Sequence, residues 1–201
     1  MIYNQTSLKY VAEKIPSEHY KNLLSYTKER RLDESWTMNQ RLAGALQQQS
    51  SLPEWKFKCP GFEEYVISLS NQLWEDTYKT CPWDFAQIFN TSDFIRLRNL
   101  WVNYQQQGEY NPLHTHSGII SFVVFIDIPY GDEERILHKS NGAFQLEEDV
   151  LPVDKTWNGV ILLFPASTKH AVYPYYTTNM ERITVAGNVF WNVEGPDEEH
   201  Y

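Results

Sequence analysis

Three of the six histidines of this chain lie in two short contexts that could form a metal site. His114 and His116 are separated by one residue, and His170 lies far downstream, just after an apolar run that ends at Phe164-Pro165. Two residues spaced like the pair point to the same side of an extended strand. A third histidine from a distant strand would complete a face of three imidazoles around one metal ion, with other coordination positions left open. The pattern therefore predicts a mononuclear iron site that works with dioxygen.

Each part of this pattern also has a structural interpretation. A His-x-His pair is often an ordinary surface feature, and a single histidine such as His170 more often makes a structural hydrogen bond. The pair, the later histidine and Arg182, which follows His170 by twelve residues, favour a site only in combination. The remaining histidines have no comparable setting: His19, His138 and His200.

The first part of the chain carries two helical patterns that could support such a site. Ser17 is a candidate cap for a helix whose apolar residues recur at helical spacing. Pro60-Gly61 opens a second helix, which is expected to end before Cys81-Pro82. The polar stretch 39–51 between them predicts a loop or a short helix. We interpret residues 1–93 as a helical support region.

From Phe94 onward the pattern changes to short β-branched and aromatic runs separated by turn residues. Five segments are predicted as strands, at 94–104, 119–126, 142–146, 160–164 and 182–190. Many short strands after two helices indicate a β-sandwich or jelly-roll barrel buttressed by helices. We expect one domain over 1–201, with a β core at 94–192 and an acidic tail at 193–201.

Composition limits the classes of function that the chain can have. Among 201 residues 42% are hydrophobic, 15% are aromatic and the formal net charge is −9, so a surface that tracks nucleic-acid phosphates is not expected. This charge still allows a nucleotide or an unpaired base as substrate. No apolar run approaches the length of a membrane span, and the N-terminus lacks the pattern of a signal peptide, so we expect a cytoplasmic protein.

The residues of the candidate site and their spacing resemble the Fe(II)/2-oxoglutarate-dependent oxygenases. Within that superfamily the chain is most similar to the prolyl-hydroxylase-like branch found in bacterial and phage genomes. The resemblance covers 95–192 and rests on Gly108-x5-His114-x-His116, on Gly159-x4-Phe164-Pro-x4-His170-x-Val-x-Pro174 and on Arg182-x-Thr184. It implies a mainly β fold, a double-stranded β-helix of the jelly-roll or cupin-like kind.

The resemblance also implies roles for these residues. His114, His116 and His170 would hold Fe(II), while Arg182 and Thr184 would bind the far carboxylate of 2-oxoglutarate. With dioxygen as co-substrate, the enzyme would hydroxylate a protein side chain such as proline, or a small molecule, and decarboxylate 2-oxoglutarate to succinate. Arginine suits the clamp because its planar fork binds a carboxylate through two hydrogen bonds.

The sequence departs from the pattern of the family at two positions. His116 stands where a carboxylate ligand is usual, which leaves more positive charge on the metal. Phe125 stands where prolyl hydroxylases often have a tyrosine that contacts the cofactor. Other donors would then be needed, and Asn103 and Tyr104 are candidates, although both also fit ordinary strand positions.

Aromatic residues near the predicted barrel mouth are candidates for contact with the primary substrate. Trp101 and Tyr173 are the two we select, and both also fit a core position. The primary substrate, whether a protein, an amino acid or a nucleotide, is left open, as is a homodimer.

Three other functions fit parts of the same pattern. A three-histidine cupin dioxygenase would not use 2-oxoglutarate, and Arg182 with Thr184 argues against it. A jelly-roll binding module without enzymatic activity would carry no stoichiometric metal. A zinc hydrolase also suits three histidines, but no general base of the usual kind lies nearby in the sequence.

Overall fold

The structure is a computed structural model, and it describes residues 2–4, 9–33, 45–78, 94–136 and 138–192. The predicted acidic tail at 193–201 and the Cys81-Pro82 step lie outside these ranges. Within them, no helix combines the length and the apolar composition that a membrane span requires.

Eleven strands and three α-helices are described in these ranges, together with two short 3-10 helices at Asp132–Arg135 and Lys155–Trp157. The strands are β1 (Ile2–Asn4), β2 (Lys9–Lys14), β3 (Gln48–Ser51), β4 (Ile95–Gln105), β5 (Asn111–His114), β6 (Ile120–Asp127), β7 (Phe144–Leu146), β8 (Asp149–Leu151), β9 (Val160–Pro165), β10 (His170–Val172) and β11 (Arg182–Trp191). The helices are α1 (Ser17–Arg30), α2 (Trp55–Lys58) and α3 (Phe62–Tyr78).

The strands form two antiparallel sheets. The larger sheet has the order β1-β2-β9-β6-β11-β4-β3, and the smaller sheet has the order β5-β10-β7-β8. From β4 to β11 the chain passes back and forth between them, since β4, β6, β9 and β11 lie in the larger sheet and β5, β7, β8 and β10 in the smaller. The mainly β fold predicted from the sequence, a double-stranded β-helix with flanking helices, is confirmed.

The larger sheet is covered on both faces, which explains why six of the eight residues of β6 are apolar. Seven of its eight residues are buried. Val124 packs with Leu23 of α1 and Phe62 of α3 on one face, while Val123 packs with Phe144 of the smaller sheet on the other. A strand buried on both faces does not alternate between apolar and polar residues.

The region before residue 94 contributes strands as well as helices. β2 pairs with β9 and β3 pairs with β4, so both extend the larger sheet. The prediction of a loop or short helix over 39–51 was wrong at β3, because pairing with β4 decides the conformation of this polar segment. The arrangement of 1–201 as a single domain stays a prediction.

Candidate metal centre

The three histidines come together at one end of the space between the two sheets. His114 ends β5 and His170 begins β10, and these residues are direct partners in the antiparallel pair. His116 lies two residues beyond the end of β5. The candidate ligand atoms of the three side chains all lie within 4.8 Å of one another.

Hydrogen bonds orient the histidine rings and the loop that carries them. His114 Nδ1 lies 2.6 Å from the Pro112 carbonyl oxygen, and His170 Nδ1 lies 3.0 Å from the Thr168 carbonyl oxygen. A ring whose Nδ1–H donates to a carbonyl presents Nε2 as the metal-binding atom. His116 is outside the strand, contrary to the extended pair expected from the sequence, and its backbone N–H donates to the Ala166 carbonyl oxygen at 3.0 Å.

Burial keeps all three imidazoles in the form that binds a metal. It lowers the pKa of His116 to about 4 and that of His170 to about 3, and it also lowers the pKa of His114. The neighbouring histidine His114 lowers the pKa values of the other two further. The site therefore offers three neutral nitrogen ligands at neutral pH.

Arg182 lies at the start of β11 with only 1% of its surface exposed. Its Nη1 donates to the Gly142 carbonyl oxygen at 3.0 Å, and its guanidinium lies 5.8 Å from the centre of the Phe125 ring. Nε and Nη2 find no hydrogen-bond partner among the described residues. Since a buried guanidinium with unsatisfied donors is costly, this side chain indicates a site for an anion.

Thr184 and Asn103 form a polar chain beside Arg182 on the neighbouring strands β11 and β4. Asn103 Nδ2 donates to Thr184 Oγ1 at 3.2 Å, and Gln49 Nε2 donates to Asn103 Oδ1 at 2.7 Å. Because Thr184 Oγ1 accepts from Asn103, its own hydrogen can be donated elsewhere. Gln49 was not identified from the sequence, since it comes from polar strand β3 and no motif marks it.

These groups line one pocket between the sheets. The pocket walls contain the three histidines together with Trp101, Asn103, Arg182 and Thr184. None of the described residues that line it is aspartate or glutamate. Trp101 meets His116 edge-on, with ring centres 5.7 Å apart.

Two of the predicted contact residues lie elsewhere. Tyr104 points to the opposite face of β4, where its hydroxyl donates to the Thr27 carbonyl oxygen at 2.6 Å, because neighbouring residues of a strand face opposite sides. Tyr173 lies just past the end of β10, and its hydroxyl donates to Gln145 Oε1 at 2.7 Å. Neither side chain lines the pocket, so the structure gives no support to Tyr104 as a cofactor contact or to Tyr173 as a substrate contact.

The donor set fits both a divalent metal ion and a dicarboxylic keto acid. Three neutral imidazoles can hold one face of a metal ion such as Fe(II) and leave other positions open. The unpartnered edge of Arg182 and the hydroxyl of Thr184 can accept a carboxylate in the same pocket.

Comparison with known proteins agrees with this geometry. Residues 99–188 match the family model described as "Putative 2OG-Fe(II) oxygenase", where 2OG is 2-oxoglutarate. This segment contains the three histidines, Arg182 and Thr184. The resemblance predicted from the sequence is confirmed. No protein of curated function matches the sequence significantly.

Several solved structures share the fold at low sequence identity. A prolyl-4-hydroxylase from Pseudomonas putida is similar over 90% of both chains, with a TM-score of 0.58 and 12% identity. A prolyl hydroxylase from Trichoplax adhaerens, in complex with a peptide fragment of the oxygen degradation domain of hypoxia inducible factor, is similar over 90% of this chain and 82% of its own, with a TM-score of 0.54 and 11% identity. The viral collagen prolyl hydroxylase of Paramecium bursaria Chlorella virus-1, in its 2-oxoglutarate complex, is similar over 90% of this chain and 94% of its own, with a TM-score of 0.50 and 11% identity.

Proposed function

We propose that this chain is a 2OG-Fe(II) oxygenase that binds Fe(II) and uses 2-oxoglutarate and dioxygen as co-substrates. It hydroxylates a protein side chain such as proline, or a small molecule, and converts 2-oxoglutarate to succinate and carbon dioxide. The observation that carries the proposal is the buried edge of Arg182, which has two unpartnered donors in the same pocket as three converging histidines.

Each group of the pocket has a role in this proposal. His114, His116 and His170 hold Fe(II), which supplies, when bound together with 2-oxoglutarate, the activation of dioxygen for oxidation of a C–H bond. Nε and Nη2 of Arg182 donate to the far carboxylate of 2-oxoglutarate, and Thr184 donates its hydroxyl hydrogen to the same carboxylate. Asn103 orients that hydroxyl by donating to its oxygen.

The primary substrate enters beside Trp101 in this proposal. The Trp101 indole stands edge-on to His116, so a proline ring or another apolar group packed on this indole would lie close to the metal. Support for a peptide substrate comes from the fold shared with prolyl hydroxylases, one of which is in complex with a peptide fragment. A cytoplasmic location and a homodimer stay predictions from the sequence.

The alternatives considered from the sequence have less support. A three-histidine cupin dioxygenase that does not use 2-oxoglutarate has no need of an anion site, and Arg182 and Thr184 provide one in this pocket. A binding module without activity and a zinc hydrolase both disagree with the family match over 99–188.

The test is the binding of 2-oxoglutarate to variants of Arg182. Calorimetry with the Mn(II)-loaded chain measures this binding without knowledge of the primary substrate. Loss of two charge-assisted hydrogen bonds in Arg182→Ala is expected to weaken 2-oxoglutarate binding by at least about 100-fold. Arg182→Lys keeps the charge but loses the two-point geometry, so it is expected to bind with intermediate affinity.

Arg98→Ala is the matched control. The Arg98 guanidinium also lies over an aromatic ring, 5.2 Å from the centre of Phe190, but Arg98 is not part of the pocket wall. Its variant is expected to bind 2-oxoglutarate like the native chain. Native affinity in Arg182→Ala would exclude the proposed clamp. The absence of succinate formation by the native chain supplied with Fe(II), 2-oxoglutarate and dioxygen would exclude the proposed reaction.

A further inference from the structure

The Gly142 carbonyl group fixes the orientation of the Arg182 guanidinium. Nη1 of Arg182 donates to this carbonyl, while the backbone N–H of Arg182 donates to the hydroxyl oxygen of Tyr175 at 3.2 Å. In a planar guanidinium, the N–H of Nε and one N–H of Nη2 lie side by side on one edge, the arrangement that binds a carboxylate through two hydrogen bonds. Because Nη1 is bonded to the Gly142 carbonyl oxygen, the edge formed by Nε and Nη2 is the one that faces a ligand.

Tyr130 holds the same carbonyl group, and its hydroxyl lies next to the Arg182 side chain. Its hydroxyl donates to the Gly142 oxygen at 2.9 Å, and the backbone N–H of Gly142 donates to the Pro174 carbonyl oxygen at 2.8 Å. Tyr130 is fully buried, and its ring packs against Tyr175 with centres 5.0 Å apart. Burial raises the pKa of Tyr130 more than the nearby Arg182 charge lowers it, so the phenol remains a hydrogen-bond donor at neutral pH.

Gly142 is required for this close approach. Its backbone is in the left-handed region with φ +69°, and a Cβ atom added there would lie 2.6 Å from the Tyr130 ring. A side chain at this position would displace the tyrosine that holds the carbonyl. Tyr130, Gly142 and Arg182 come from three separate segments, so the arrangement depends on the folded barrel.

We propose that Tyr130 is a positioning residue that selects the length of the keto acid: by holding the Gly142 carbonyl group, it fixes the depth at which the Arg182 edge closes the pocket. This inference rests on the proposed function. The keto acid end of the ligand is tied to the metal and the other carboxylate to Arg182, so the separation of the two sites must match the carbon chain. A fixed guanidinium favours 2-oxoglutarate over 2-oxoadipate, which is one methylene longer, whereas a loosened guanidinium accepts both.

The experiment compares Tyr130→Phe with a matched tyrosine elsewhere. Tyr130→Phe keeps the ring and removes only the hydroxyl. Tyr20→Phe is the control, because the Tyr20 hydroxyl also donates to a backbone carbonyl oxygen at 2.9 Å, that of Ile126, and Tyr20 packs in the helix-side core. Calorimetry on the full Mn(II)-loaded chain gives the affinities for 2-oxoglutarate, 2-oxoadipate and Mn(II) itself.

Tyr130→Phe is expected to weaken 2-oxoglutarate binding about 5- to 10-fold and 2-oxoadipate binding less than about twofold. The preference for the shorter acid therefore falls, while the affinity for Mn(II) stays at the native value. Tyr20→Phe is expected to leave both keto acid affinities within about twofold of native. Gly142→Ala must displace the Tyr130 ring and is expected to reduce the same preference.

Two results would overturn this inference. One is native affinity for both acids in Tyr130→Phe, and the other is an equal weakening of both acids, which is the result of a purely structural role. A native chain that binds neither acid would instead remove the proposed function, so the two failures are distinguishable.

Discussion

At the scale of single residues, His116 is the most consequential feature of the pocket. The resemblance found in the sequence places it where a carboxylate ligand is usual, and the described pocket wall contains no acidic side chain. Three neutral imidazoles leave the full charge of a divalent metal ion uncompensated in a buried site. The dianionic co-substrate then becomes the main source of negative charge, so metal and co-substrate are expected to strengthen the binding of each other.

His116→Asp tests this coupling, because it places a carboxylate at the third ligand position. Without 2-oxoglutarate, the variant is expected to bind Mn(II) about tenfold more tightly than the native chain. Addition of 2-oxoglutarate should raise the affinity for Mn(II) by a smaller factor in the variant than in the native chain. Competition with a chelator measures both values, and an equal gain in the two proteins would contradict the charge argument.

At the scale of elements, long apolar patterns could be predicted and short polar strands could not. The strands β6, β9 and β11 could be predicted from runs of β-branched and other apolar residues, and the helices α1 and α3 from apolar residues at helical spacing. The strands β3, β5 and β10 have three or four residues each, and only their partners in the sheets determine them.

The candidate site shows the same division. The histidines, Arg182 and Thr184 have spacings typical of a family, so their sequence positions could be identified. Gln49 and Tyr130 have no such spacing, because they reach the site only through the pairing of β3 with β4 and the packing of a loop. The choice between Asn103 and Tyr104 depended on which face of β4 meets the pocket. Residues 100–104 are all buried, so the sequence there does not alternate in a way that reveals this face.

Gly187, in the middle of β11, offers a test of packing between the larger sheet and the helices. A Cβ atom there would lie 2.6 Å from the Phe122 ring and 2.7 Å from the Asn99 carbonyl oxygen. Phe122 packs edge-on against Phe62 of α3, with ring centres 6.0 Å apart, so it has little room to move. Gly187→Ala is expected to lower the free energy of unfolding by about 2–3 kcal/mol, as measured by urea denaturation.

Gly131→Ala provides the comparison for this substitution. The three atoms nearest to its added Cβ atom all belong to the Glu133 carboxylate group, the far end of a flexible side chain. The expected loss is below about 1 kcal/mol. Equal losses in the two variants would show that the close approach of Phe122 to β11 does not limit stability.

At the scale of the whole molecule, the chain places a cationic site inside a strongly acidic protein. The formal net charge is −9, whereas the described pocket wall carries Arg182 and no acidic side chain. The pocket lies between two sheets, and helices close the outer face of the larger one. In the proposed function, the charge of a ligand inside the pocket would therefore be balanced by the buried guanidinium and the metal rather than by the surface.

Burial of the three histidines should also make the stability of the metal-free chain depend on pH. In the folded chain the pKa of His116 is lowered to about 4 and that of His170 to about 3, whereas an unfolded chain has histidine pKa values of about 6.5. Between pH 6.5 and about 4 the unfolded chain thus binds more protons, so the free energy of unfolding falls as the pH falls.

Urea denaturation of the metal-free chain between about pH 6.5 and 5 measures this loss above the range in which ordinary carboxyl groups titrate. The slope is expected to approach about 1.4 kcal/mol per pH unit for each histidine that is protonated only in the unfolded chain. His170→Gln removes one such group, and its slope should be lower by about that amount. If the native chain and His170→Gln lost stability equally on acidification, the neutral, buried state assigned to His170 would be wrong, and with it the view that the folded chain holds this imidazole ready to bind a metal.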